Sequence, residues 1–332
     1  MDIAKIQNYR LFEDFVQKRF ARFLCKHGYA TPAIVKADVT LHRYKFTNVF
    51  RHCDRVSQYL ISLINADIAQ NGLPKTLEEK RRLVALIYIF RLFGRIDTWE
   101  ALPDDFKEIP HLKIDKLIKW ADHQMFDRGE KLYTTAYIMG SCEGVSRNRY
   151  YLYGLKHFLL QKHEALDTLL FSYDVAQRYS LLRKLSGFGD FLAYQFALDY
   201  SYVRVDFQHL KDFCIAGPGA RRGASKLTGG KISKKAVEAL CIQLANIYQK
   251  TGRPFAGVIF DGCYLKANDI QNCLCEFDKY CREAAPHLEG TGDTKRTAIK
   301  ATYNPRRDVF EVKRPFGWGS QVDADNAPFC IV

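Results

Sequence analysis

Residues Lys184–Asp199 read Lys-Leu-Ser-Gly-Phe-Gly-Asp-Phe-Leu-Ala-Tyr-Gln-Phe-Ala-Leu-Asp, and Asp212–Gly223 reads Asp-Phe-Cys-Ile-Ala-Gly-Pro-Gly-Ala-Arg-Arg-Gly. Gly187 and Gly189 lie between two helical patterns, where glycine lets the chain turn tightly and leaves successive backbone N–H groups uncovered. At the start of a following helix such amides suit a phosphate. Beyond Gly189, apolar Phe191, Leu192, Phe196 and Leu198 alternate with small Ala193 and Ala197, which predicts a buried helix closely packed on a neighbour. An ordinary interhelical turn is the competing reading. Three aspartates follow, Asp199, Asp206 and Asp212, the second within Val205-Asp-Phe-Gln-His209. Gly217-Pro-Gly219 reads as a tight turn. Arg221, Arg222, Lys226, Lys231, Lys234 and Lys235 then make the densest basic region of the chain, read as a phosphate-contacting loop or, alternatively, a solvated one.

Composition bounds what this stretch serves. The chain has 332 residues, 47% hydrophobic and 14% aromatic, enough to bury a large core. Its formal charge of +13 favours a polyanionic partner, because neutralising phosphates releases counterions. Ten irregularly spaced cysteines without a leader pattern point to a reducing interior rather than a disulfide scaffold. No stretch approaches the roughly 20 apolar residues of a membrane span. The expectation is a cytoplasmic, monomeric protein with no membrane partner.

Outward from the centre, Leu11, Phe12, Phe15, Val16, Phe20, Phe23 and Leu24 recur at helical spacing over 9–27, among Lys18, Arg19 and Arg22, and predict an amphipathic helix with a basic outer face. Leu41–Arg55 leads into a long helix with a core stripe of Val49, Cys53, Val56, Leu60 and Leu63 and an opposite polar line of Asn48, Arg51 and Arg55 beside Asp54. Such a line can hold a base or a phosphate; it can equally be a solvated face with an Arg–Asp pair. Thr76-Leu-Glu-Glu79 is a capping box opening a helix through Phe90. Tyr133, Tyr137, Tyr150, Tyr151 and Tyr153 near Arg147 and Arg149 suit stacking on bases, or are buried and bonded to neighbours. Val237, Leu240, Cys241 and Leu244 face inward on a helix over 233–248, and Asn268 caps a last helix carrying Leu274, Phe277 and Cys281. Cys273, Cys275 and Cys281 lack metal-ligand spacing, since residues two apart on a helix point in nearly opposite directions. No metal and no other cofactor is expected.

Several runs carry a family resemblance. Tyr44-Lys-Phe-Thr-Asn-Val-Phe-Arg-His-Cys-Asp-Arg55, Phe90–Glu100, Tyr133–Ile138, Gly187–Asp199, Asp212–Gly223 and Leu274–Tyr280 resemble, in order, the alpha-glutamyl/putrescinyl thymine pyrophosphorylase family, whose helical domain also occurs fused to hydroxymethyluracil DNA kinases. The resemblance covers about residues 40–283 of the chain. Gly94 departs from it, standing where a larger polar residue such as asparagine is expected. The order of hairpin and acid also resembles the helix-hairpin-helix DNA glycosylases, with Ser186 in place of the usual proline.

The resemblance implies a mainly α, two-lobed, DNA-glycosylase-like fold and a double-stranded DNA partner carrying modified pyrimidines. Residues 1–40 are expected as an N-terminal helical extension, 41–285 as the glycosylase-like domain, and 286–332 as a small irregular or hairpin extension. Phage members of the family attach amino acids or polyamines to activated hydroxymethyluracil; a bacterial defensive branch excises glucosylated hydroxymethylcytosine from phage DNA. Glycosidic cleavage needs a carboxylate near the anomeric carbon and a base drawn out of the stack. Asp212 is the first candidate for the acid, then Asp199, then Asp206. Asn48, Arg51, Asp54, Arg55 and Glu276 are the expected base pocket, and Gly187, Gly189, Gly217, Gly219, Arg221, Arg222 and Lys226 the expected DNA contacts. The favoured expectation is a monofunctional DNA glycosylase of anti-phage defence. A transferase joining an amine to activated hydroxymethyluracil is the alternative, and a non-catalytic modified-DNA-binding module the third.

Overall fold

The computed structural model describes residues 3–26, 38–134, 140, 143–203, 210, 212–251, 264–288, 299 and 302–303. The longer helices are α1 (Tyr9–Lys26), α2 (Arg55–Asn71), α3 (Leu77–Phe93), α4 (Ile114–Asp122), α5 (Arg147–Gln161), α6 (His163–Phe171), α7 (Val175–Leu182), α8 (Asp190–Tyr200), α9 (Pro218–Thr228), α10 (Lys234–Thr251) and α11 (Ala267–Ala284). The mainly α expectation holds: the described residues contain no strand, and an isolated antiparallel bridge joins Tyr44 to Thr302. Most of the irregular or hairpin extension expected over 286–332 lies outside the described residues. The chain divides into two compact units, one holding the residues up to Arg55 and the described residues from Leu210 onward, the other the described residues from Val56 to Val203.

In the first unit α11 is the central element. Leu274, Phe277 and Cys281 lie in the core as their spacing predicts, with Val237, Leu240, Cys241 and Leu244 of α10 beside them. Helix α1 belongs to the same core through Phe12, Phe15, Val16 and Phe20, and the Phe12 and Phe277 rings meet edge to face at 5.3 Å. The packing therefore does not divide at residue 40. Arg19, expected on the basic outer face of α1, is 3% exposed and points inward.

Helix α9 replaces the expected basic loop. Gly217 is its N-cap and Pro218 its first residue, a position that suits proline's fixed φ and missing N–H. Gly223 is required by close approach: a Cβ there would lie 1.8 Å from the Leu274 carbonyl oxygen of α11. Gly223 thus lets two helices touch.

In the second unit α3 is the buried centre, with every residue from Leu83 to Phe93 covered. Its capping box forms as read, the Glu79 N–H donating to Thr76 Oγ1 (3.3 Å) and the Thr76 N–H to Glu79 Oε2 (2.9 Å). Gly94 closes the helix in the left-handed conformation with φ 61°, which accounts for glycine at that position. Helices α7 and α8 are joined by the Gly187 turn, and α8 is buried from Leu192 to Tyr200. Beneath the turn Phe188 packs on Phe196 (4.9 Å between centroids), which packs on Tyr88 (5.0 Å). Gly187 has φ +81°, and a Cβ there would reach Tyr150 Cε1 at 2.5 Å.

Candidate active site

The long helix expected to present Asn48, Arg51 and Arg55 begins only at Arg55. The short helix Val39–Arg43 ends before it, residues 45–50 are irregular, and Arg51–Cys53 form one 3-10 turn. The reason is where the backbone amides of this segment find partners. The Thr47 N–H donates to Glu276 Oε2 (3.3 Å), the Asn48 N–H to Asp54 Oδ1 (2.7 Å) and the Arg51 N–H to Asp269 Oδ1 (2.8 Å). Carboxylates replace the carbonyls a helix would supply, which satisfies the donors without helical dihedrals.

The carbonyl side is held by α1 and α11. Arg19 Nε donates to the Thr47 carbonyl (2.6 Å), Arg19 Nη2 to the Asn48 carbonyl, and Asn272 Nδ2 to that same Asn48 oxygen (2.9 Å). Thr47 Oγ1 donates to Asn272 Oδ1 (3.1 Å). Residues 47–54 are thus held on both edges by groups from α1 and α11.

Three side chains emerge with fixed rotamers and open acceptors. Asn48 Nδ2 donates to the Cys53 carbonyl (2.5 Å); a carbonyl can only accept, so the amide orientation is set and Oδ1 is left as acceptor. Asp54 uses Oδ1 for the Asn48 N–H, and its other oxygen has no hydrogen-bond partner among the described residues. Glu276 spends Oε2 on the Thr47 N–H and on Lys279 Nζ (2.8 Å), keeping Oε1 open. Burial pushes the Asp54 carboxyl up to about 6, opposed by the Asn48 N–H and the Arg19 and Arg51 charges, while Glu276 adds to the rise. Burial likewise pushes Asp269 up to about 6 against the Arg51 and Lys266 amides and their charges. A carboxyl poised near neutrality can take or give a proton.

The structure therefore brings together Asn48, Arg51, Asp54 and Glu276, while Arg55 lies exposed at the first residue of α2. Arg19, Thr47, Asp269 and Asn272 complete the arrangement and were not anticipated. Asp269 and Arg51 stand 218 positions apart in the chain, and no local pattern announces that contact.

The expected acids separate. Asp199 is fully buried and both its oxygens are taken by Arg91, through Nε and through Nη2 (2.8 Å), which leaves no face for a substrate. Asp212 is exposed in the connection before α9. Asp206 lies outside the described residues, as does Tyr137.

The expected DNA contacts are also redistributed. Lys226 is 4% exposed, its Nζ bonded to Asp278 Oδ1 (3.1 Å) and to the Asp278 carbonyl (3.1 Å), so it is a buried partner rather than a loop cation. Arg222 Nε also bonds Asp278, at 3.0 Å. Arg221 is half-buried on α9. Gly217 and Gly219 serve the start of α9, and a Cβ at 219 would lie 2.4 Å from Cys275 Sγ. At the other turn Gly189 is the N-cap of α8, and Asp190 holds Arg183 (2.9 Å) and the Tyr179 hydroxyl (3.0 Å). Of the tyrosines, Tyr151 is buried with its hydroxyl between the Gly187 (3.3 Å) and Gly140 (3.4 Å) carbonyls, Tyr133 donates to Asn148 Oδ1 (2.5 Å), and Tyr153 is exposed. Arg147 lies over the Tyr133 ring at 5.1 Å. Asn268, expected to cap α11, sits inside its first turn; Lys266 holds the cap position, and its N–H donates to Asp269 Oδ2 (3.1 Å).

The family model described as 5-hmdU DNA kinase, helical domain, matches residues 7–290. The chain belongs to this family. The match to the 5-hmdU DNA kinase helical domain includes α1, which agrees with the place of that helix in the core, and it includes every residue that builds the Asn48–Asp54 segment. A 5-hmdU DNA kinase of Bacillus phage SP10 is 25% identical over 204 residues, covering 56% of this chain and 31% of that protein. The chain thus matches under a third of the length of that relative. No solved structure matches. Among the described residues no helix is long and apolar enough to cross a membrane.

Proposed function

We propose that the protein is a transferase acting on 5-hydroxymethylpyrimidine in DNA, in which an amine displaces an activated leaving group from the hydroxymethyl carbon. The observation that carries this reading is the Asp54 carboxyl, raised to about 6 and held by the Asn48 N–H with one oxygen open. The amine nitrogen attacks the methylene carbon, the leaving group departs with the bonding pair, and Asp54 takes the proton that the nitrogen must lose. The acceptors of Asn48 and Glu276 beside it favour a donor-rich nucleophile, and Asn48 Oδ1 can also accept from a pyrimidine N–H. Membership of a family named for 5-hmdU DNA supports the substrate class, and a formal charge of +13 suits a DNA partner. The base has to leave the stack to meet such a pocket, at a cost of a few kcal/mol.

This reverses the order in which the sequence ranked the two chemistries. The test is mass spectrometry of nucleosides from duplex DNA carrying phosphorylated hydroxymethyluracil, incubated with protein and an amine. An amine-dependent adduct that Asp54→Asn fails to form is the expected result; no adduct with the wild type sinks the reading.

Excision of a glucosylated hydroxymethylpyrimidine is the second reading. It is favoured by the exposed Asp212 and by the Gly187 turn between α7 and α8, the two features the glycosylase resemblance rests on. Abasic sites in glucosylated phage DNA, absent with Asp212→Asn, would establish it.

A further inference from the structure

The Asp278 cluster where α9 meets α11 is charged out of balance. Its carboxylate meets Arg222 Nε at 3.0 Å, Lys226 Nζ at 3.1 Å and Arg282 Nη2 at 2.7 Å, so three cations surround one acid. The neighbouring acid on α11, Glu276, is already matched by Lys279 at 2.8 Å and does not offset the surplus. All three cationic side chains are largely covered, at 12%, 5% and 11% exposure. Covered charge without a counter-charge is costly, and a protein commonly offsets it with an anion.

The geometry says which groups would receive that anion. Lys226 is turned inward, its ammonium holding both the Asp278 side chain and the Asp278 carbonyl. Arg222 binds Asp278 through Nε alone, and Arg282 through one Nη. Neither guanidinium has another partner among the described residues, and both side chains keep some exposure, at 12% and 11%. Each long side chain is therefore immobilised by the shared carboxylate while a donor fork stays open, which removes the entropy that a free arginine loses on binding.

We propose that Arg222 and Arg282, fixed on Asp278, form a clamp for a phosphate-class anion. Planar guanidinium forks match phosphate oxygens in pairs, as an ammonium does not. The phosphate is either a backbone phosphodiester of DNA or a free phosphate, and the recognising chemistry is the same. The site does not depend on the base chemistry proposed above.

The test uses the full-length protein with two probes, inorganic phosphate by calorimetric titration and an unmodified duplex across a salt series. Arg222→Gln and Arg282→Gln are compared with Arg128→Gln, an exposed arginine of the other unit. A backbone source predicts that each clamp variant lowers the slope of log K against log salt by about 0.9 for every phosphate it no longer neutralises. A free-phosphate source predicts loss of the phosphate titration with the DNA slope unchanged. If the glutamine variants do not fold, Arg222→Lys and Arg282→Lys keep the charge on Asp278 and lose only the fork, and at least a tenfold weakening with one of the probes is expected. Undiminished binding of both probes in folded clamp variants, or a wild type that binds neither, overturns the clamp. Because neither probe is a modified base, failure here leaves the transferase reading standing, and failure of that reading leaves this one.

Discussion

Asp199 and Asp54 are both removed from bulk water, and the difference between them is what remains unsatisfied. Asp199 sits in the core of the second unit with both oxygens on the Arg91 guanidinium. Asp54 sits in the first unit with one oxygen on a backbone N–H and the other without a hydrogen-bond partner among the described residues, its nearest charges competing rather than cancelling. A carboxylate with both oxygens on a guanidinium has no oxygen left for a substrate; Asp54, half-satisfied, keeps one and has its carboxyl raised to about 6. Proximity of an acid to a glycine turn therefore says less about chemistry than the bonds the acid still has to make.

The comparison breaks most visibly at Arg91. Arg91→Ala removes the guanidinium that holds both Asp199 oxygens in the core, and chemical denaturation should show a loss of about 3–5 kcal/mol. An unchanged midpoint would mean that the ion pair is not what holds Asp199. Asp54→Asn keeps the acceptor for the Asn48 N–H and should leave that midpoint nearly intact, while transferase turnover falls about 100-fold or more. Equal losses of stability in the two variants would erase the distinction between the acids.

Proton linkage sharpens the contrast further. Asp54 and Asp269 have native carboxyls raised to about 6, so the folded protein holds these protons more tightly than the unfolded chain, where a free aspartate titrates near ~3.9. Their contribution to stability is present in full below the unfolded value and is lost as pH rises through about 6. Urea midpoints should fall across that window, and the fall should be shallower in Asp54→Asn. Turnover that depends on Asp54 as base should rise over the same interval.

Two smaller effects test the scaffold on the Asp199 side. Gly187→Ala forces a left-handed φ on a side chain that also meets the Tyr150 ring, with an expected loss of about 1–3 kcal/mol by thermal unfolding. Thr76→Ala removes the side-chain half of the α3 capping box and should lower stability by about 1 kcal/mol, with no effect on turnover.

Much of this was legible before folding. The inward stripes of α1, α10 and α11, the capping box at Thr76 and the Gly187 turn all follow from local spacing, because each depends on residues within a few positions. That Asn48, Arg51, Asp54 and Glu276 come together was readable only through the family resemblance. The errors share a cause. Arg19 and Lys226 look like solvent cations, and Gly217-Pro-Gly219 looks like a turn, because their partners, Asn48, Asp278 and Cys275, lie on elements that local pattern does not connect to them.

The sequence by itself determined the helical class, the family and the surplus of positive charge, since periodicity, ordered motifs and composition are properties of neighbours and sums. Tertiary structure alone decided which acid is spent and which is open. That distinction rests on whether a guanidinium takes both oxygens or an amide takes one, and only packing brings Arg91 to Asp199 and the Asn48 N–H to Asp54.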